Sequence, residues 1–165
     1  MKFLKLFAVA TLLLAAPYAA LSAPAPKYVA DISKMERAAW NIACAFKAYD
    51  CSRLRAPQVW YIALRGGHGR YYFGAPGIEV NMELIGQPFS GLVMVHEMVH
   101  YIQYAQRQAS KYPTVYDNHC VRESEAFNIM AAVAHAMNIR DPRLAYWPEM
   151  AAAYQCSFSS DRALP

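Results

Sequence analysis

Residues 96–100 read His-Glu-Met-Val-His within a run whose other members Leu92, Val93, Val95, Val99 and Ile102 are apolar at helical spacing. Four residues turn an α-helix through about 400°. Both imidazoles therefore leave one face, one turn apart, at the border of a core and not on a charged surface. Two neutral imidazole nitrogens so placed can share one metal ion. Glu97 stands about 100° round the helix from His96, near enough to take a proton from a water at the metal without binding the metal itself. Zinc suits imidazole and carboxylate ligands and brings the pKa of such a water toward neutrality. A further ligand is expected from a second element.

Downstream, Arg122-Glu123-Ser124-Glu125-Ala126 offers two carboxylates. On a helical wheel Glu123 shares the side of Ala126, Phe127, Met130, Ala134 and Met137, whereas Glu125 lies more than a right angle from the centre of that stripe. A carboxylate turned toward a core needs a partner, and a metal is a sufficient one. Glu123 is the expected third ligand, with Glu125 as the alternative.

Periodicity supplies the remaining elements. Ile32, Met35, Ala39, Ile42, Ala43 and Phe46 recur at threes and fours, which predicts an amphipathic helix over 30–49 with Asp31 or Ser33 as its cap. The aromatic and β-branched run 59–64 reads as a strand closed by Gly66-Gly67, and 71–73 and 78–82 read as two more. Ser90 is the expected cap of the motif helix over 91–108, followed by a loop over 111–118 and a second helix over 119–138. Asp141-Pro142 then opens a last helical stretch toward Cys156. The pattern is α+β: a small antiparallel or mixed sheet packed on a helix pair that carries the motif.

A chain of 165 residues has room for one core and one main site. Its first segment reads as a secretory signal. Lys2 and Lys5 precede the apolar 6–16 stretch, and Ala20-Leu21-Ser22 satisfies the small-x-small rule for cleavage. The apolar stretch meets Pro17 too soon to span a bilayer, which takes about 20 residues. Removal of 1–22 would leave 23–165 as a single domain, secreted or periplasmic, with no membrane association.

Cys44, Cys51, Cys120 and Cys156 all fall in that mature part, an even number suited to an oxidising compartment. The expected pairs are Cys44 with Cys51, across a short local loop, and Cys120 with Cys156. No C-x-x-C pair points to a cysteine metal site. Without Lys2 and Lys5, fourteen basic residues face twelve acidic ones. That near-neutral balance argues against nucleic acid as a partner, and the scattered Arg53, Arg55, Arg65 and Arg70 read as a solvated face.

The His96-Glu97-Met98-Val99-His100 helix followed by Glu123 in a later helix resembles the gluzincin metallopeptidases, the thermolysin-like class. Glu123-Ser124-Glu125-Ala126 is also similar to the E-x-E-A stretch of housekeeping membrane-linked proteases in that class. The resemblance covers the two motif helices. It implies a minimal zincin-like domain with zinc on His96, His100 and Glu123, Glu97 as general base, and a peptide or protein substrate. It further implies an edge strand beside the motif helix that pairs with an extended peptide, for which 71–73 and 78–82 are candidates. An oxyanion donor is also expected, with His68, His119, His135, Tyr146 and Tyr154 available.

Two features depart from related patterns. The similar proteases carry an aspartate four places past the glutamate ligand, where this chain has Phe127, so another group must orient the first histidine. Metzincins place a glycine and a histidine beyond the second histidine where Gln103 and Gln106 stand here; His100-Tyr101-Ile102-Gln103 instead resembles the H-x-x-Q extension of small H-E-x-x-H proteins. The expectation is an exported zinc hydrolase of metalloprotease type. A zinc-binding or interaction module without turnover is the alternative.

Overall fold

The computed structural model describes residues 25–46, 50–111 and 114–146. Its elements are α1 (Ala25–Phe46), β1 (Gln58–Ile62), β2 (Gly69–Arg70), β3 (Gly77–Asn81), α2 (Pro88–Ala109) and α3 (His119–Ala136). Short 3-10 turns occupy Met82–Leu84, Val115–Asp117 and Pro142–Tyr146. The segment 1–22 with its expected cleavage point, Tyr154, Cys156 and the helical stretch expected beyond Tyr146 lie outside the described residues. Among the described residues no helix is long and apolar enough to cross a membrane.

Helix α2 is the hub of this α+β fold. Phe89, Leu92, Val93, Met94, Val95, Met98, Val99 and Ile102 are buried on all its sides. The cause is that α1, α3 and β3 each pack against it; a helix apolar all round belongs inside. Ala39 and Ala43 of α1, Ile78 and Val80 of β3, and Ala126, Ile129, Met130, Val133 and Ala134 of α3 complete the core. Each large apolar side chain fully buried there contributes about 1.5–3 kcal/mol, so the three helices are held in register by this contact surface.

The helix starts differ from the sequence expectation. Gln87, not Ser90, is the N-cap of α2, and Pro88 takes the first helical position, where its missing N–H costs nothing and its φ is preset. Ser90 is buried within the helix and its hydroxyl donates to Gln87 O at 2.9 Å. Helix α1 begins at Ala25, ahead of Asp31 and Ser33, with Pro26 accommodated in its first turn.

The sheet is mixed, in the order β1-β3-β2, with β1 and β3 parallel and β2 antiparallel to β3. The strand expected over 71–73 is instead Gly69–Arg70. Pairing ends there because Tyr71 turns onto α2, its ring 5.8 Å from that of Tyr101 and 6.4 Å from that of Tyr104. Immediately after, the Ala75 N–H closes a turn on Tyr72 O at 2.8 Å. Neither candidate peptide edge therefore stands: 71–73 is a turn, and 78–82 contributes the middle strand. The outer strand beside α2 is β2.

A disulfide joins Cys44 to Cys51, a bond that persists in oxidising compartments. Cys120 is not a free thiol, and its expected partner Cys156 lies outside the described residues.

Candidate metal centre

His96 and His100 project from α2 toward α3 as the one-turn spacing requires. Their rings meet edge to face with centroids 4.7 Å apart, and the two Nε2 atoms are separated by 3.1 Å. Glu123 closes the group from the second turn of α3, with Oε2 3.4 Å from His96 Nε2 and Oε1 3.2 Å from His100 Nε2. The start of α3 puts it there. Asn118 caps the helix by accepting from the Cys120 and Val121 N–H groups at 2.9 and 3.4 Å. The preceding turn is fastened by a Thr114–Asp117 capping box, by the Arg107–Asp117 ion pair, and by the Arg122 guanidinium donating to Tyr116 O at 2.6 Å.

Each of His96, His100 and Glu123 offers one ligand atom within 4.8 Å of the others, a group able to hold a metal ion. Ligands bound at about 2.0–2.1 Å in a tetrahedral shell lie roughly 3.3 Å from one another. The observed separations of 3.1, 3.2 and 3.4 Å fit that spacing. Electrostatics favour positive charge at the same point. Burial by itself would raise the Glu123 carboxyl, but hydrogen bonds from His100 and His96 outweigh it and hold the group well below the usual carboxylate range. Burial would lower His100, yet its hydrogen bond to Glu123 and the charges of Glu97 and Glu123 raise it.

Glu97 is buried beside this group without belonging to it. Burial pushes its carboxyl up, against the smaller opposing pull of His96 and His100. Its enclosure comes from β2. A Cβ at Gly69 would lie 2.5 Å from Val93 Cγ1 and 2.8 Å from Glu97 Oε1, so the strand crosses directly over the carboxylate and requires glycine there. Gly66 and Gly67, at φ of 69° and 124°, turn the chain into that crossing.

Glu125 is not a member of the ligand group. Nor is it turned fully outward, as the wheel implies. Ile129 and Val133, one and two turns further on, are also buried and widen the inner face of α3. The Glu125 Oε2 accepts from Gln103 Nε2 at 2.8 Å. Gln103 is 0% exposed; the same nitrogen donates to Arg122 O at 3.1 Å, and its Oε1 accepts from His100 Nδ1–H at 2.9 Å. His96 has no comparable support: its Nδ1 is buried with no hydrogen-bond partner among the described residues, and its ring lies 4.5 Å from that of Phe127. Sequence reasoning missed the role of Gln103. The available signal was an amide three places past the second histidine in an apolar helix, because a buried amide must find partners.

The group opens on a cleft of about 330 Å³ whose wall includes His68, Gly69, Arg70, Tyr71, Phe127 and Met130. Of the oxyanion candidates, His68 lines this cleft, its ring edge-on to Phe89 at 5.0 Å. His119 stands behind Glu123, with Nδ1 3.6 Å from Oε1. His135 is exposed in the last turn of α3 and does not line the cleft. The Tyr146 side chain and Tyr154 lie outside the described residues.

No family model matches the chain, and neither a curated protein nor a solved structure matches it.

Proposed function

We propose that this chain is an exported zinc-dependent hydrolase of metalloprotease type, with a minimal zincin-like domain that acts on a peptide or protein substrate. One observation carries the reading: a three-ligand group and a buried carboxylate outside that group, Glu97, open on the same cleft. Two imidazoles and one carboxylate are a donor set that zinc favours, and His96, His100 and Glu123 would hold it. Bound there, the ion supplies Lewis acidity that polarises a carbonyl and makes an adjacent water acidic near neutral pH.

Glu97 would take one proton from an attacking water as the water oxygen bonds to the peptide carbonyl carbon. The proton then passes from Glu97 to the nitrogen as the C–N bond breaks, giving a carboxylic acid and an amine. Burial, which raises the Glu97 carboxyl, makes it the stronger base for the first transfer. The edge strand β2 supports an extended substrate. It lines the cleft, its outer side carries no strand among the described residues, and main-chain pairing there would lead a peptide past Glu97. The signal-like N-terminus and the Cys44–Cys51 disulfide support export.

Elemental analysis of the purified protein tests the metal: about one zinc per chain is expected, lost in His96→Ala and in Glu123→Ala. Glu97→Gln should keep the zinc and lose hydrolysis of a fluorogenic peptide library by about 10²–10⁴-fold. Zinc without turnover of any peptide would point to a binding module. Undiminished hydrolysis in Glu97→Gln would sink the mechanism.

A further inference from the structure

We infer that Gln103 is the positioning residue of the metal centre, fixing one tautomer of His100 and tying that histidine to the Glu123-bearing turn of α3. The inference rests on the metal reading above and concerns how the ligands are held. A side-chain amide has one accepting end and one donating end. Both groups at the nitrogen end of Gln103, the Arg122 carbonyl at 3.1 Å and a Glu125 carboxylate oxygen at 2.8 Å, are acceptors. Flipping the amide would set its oxygen against both, so the nitrogen faces α3 and the oxygen faces His100. That oxygen accepts, hence His100 carries its proton on Nδ1, at 2.9 Å. With Nδ1–H held by Gln103, Nε2 is the nitrogen whose lone pair a metal would take in place of the hydrogen bond to Glu123. In this chain of dependence Glu125 sets the amide, and the amide sets the imidazole.

The second half of the role lies across the helix interface. Arg122 immediately precedes Glu123, so a hydrogen bond from α2 to the Arg122 carbonyl also fixes how far α3 advances past the histidines. Gln103 is fully buried, and no solvent stands by to replace a lost partner. His96 shares none of this, since its Nδ1 has no partner among the described residues. Gln103 thus hydrogen-bonds a ligand histidine on α2 and the turn of α3 that carries Glu123 at the same time.

The test uses the whole chain and zinc alone, with affinity read by competition against a chromophoric chelator and the His100 tautomer read by long-range proton–nitrogen NMR of the zinc-loaded protein. Gln103→Leu should weaken zinc binding by about 10–100-fold and remove the hydrogen-bonded Nδ1–H signal of His100. Gln103→Glu sets two carboxylates against each other and should also weaken binding. Combining it with Glu125→Gln relieves that repulsion, because the new amide can donate to the carboxylate beside His100, and should recover affinity relative to the single variant while the bond to the Arg122 carbonyl stays broken. If Gln103→Leu fails to fold, the single Gln103→Glu against the exchanged pair makes the same comparison. Wild-type affinity in the single variants, or a loss in Gln103→Glu that the exchange does not lessen, would overturn the positioning role. A wild-type chain that binds no zinc would instead overturn the metal reading itself.

Discussion

By spacing His96 and His100 are equivalent, yet their surroundings differ. The Nδ1 of His96 is buried against Phe127 without a partner among the described residues, and an unsatisfied buried polar atom costs about 1–3 kcal/mol. Phe127→Asp would offer that nitrogen an acceptor and should tighten zinc binding by about tenfold or more. Chelator competition measures it directly, and unchanged or weaker binding would mean that ring packing alone orients His96. The spacing of the pair and the identity of Glu97 were legible in the sequence. The orientation of the Gln103 amide and the placing of Phe127 against His96 were not, because both depend on α3 lying beside α2.

Between elements, the contact that matters most is β2 on α2. A two-residue strand has little propensity of its own; Gly69–Arg70 is extended because it pairs with Val80 and Glu79 of β3. The neighbouring Tyr71-Tyr72-Phe73 looks far more strand-like, yet the rings of Tyr71 and Phe73 pack instead on Tyr101 and Tyr104. That packing is invisible to a local reading. Gly69→Ala would drive a methyl into Val93 and Glu97 and should destabilise the fold by about 1–3 kcal/mol. Because the clash falls on Glu97 and not on a ligand, hydrolysis should drop further than zinc affinity. Urea unfolding, peptide turnover and zinc titration on the same preparation separate the three effects. A parallel loss of zinc would mean that β2 supports the ligands as well.

For the molecule as a whole, a metal held by His96, His100 and Glu123 would fasten α2 to α3 across their interface. Ligand that binds only the folded state stabilises it by about 2.7 kcal/mol at a hundredfold excess over Kd. The thermal midpoint should therefore rise with zinc and fall back on chelation; a midpoint indifferent to zinc would contradict the centre. Acid should act in the same direction. The folded-state pKa of Glu123 is depressed, so its contribution is present above the unfolded value of about 4.3 and is lost as pH falls through the folded one. Zinc-linked stability fades as well when the histidines take up protons.

The motif helix, the kinds of ligand, the Cys44–Cys51 pair and the coarse α+β pattern are readable from order along the chain, since periodicity, spacing and short loops are local properties. The engagement of Glu125 by Gln103, the crossing of Gly69 over Glu97, and the unequal support of the two histidines are not. Each depends on side chains far apart in sequence meeting at the surface of one central helix, where burial leaves every polar atom dependent on the neighbour that the fold provides.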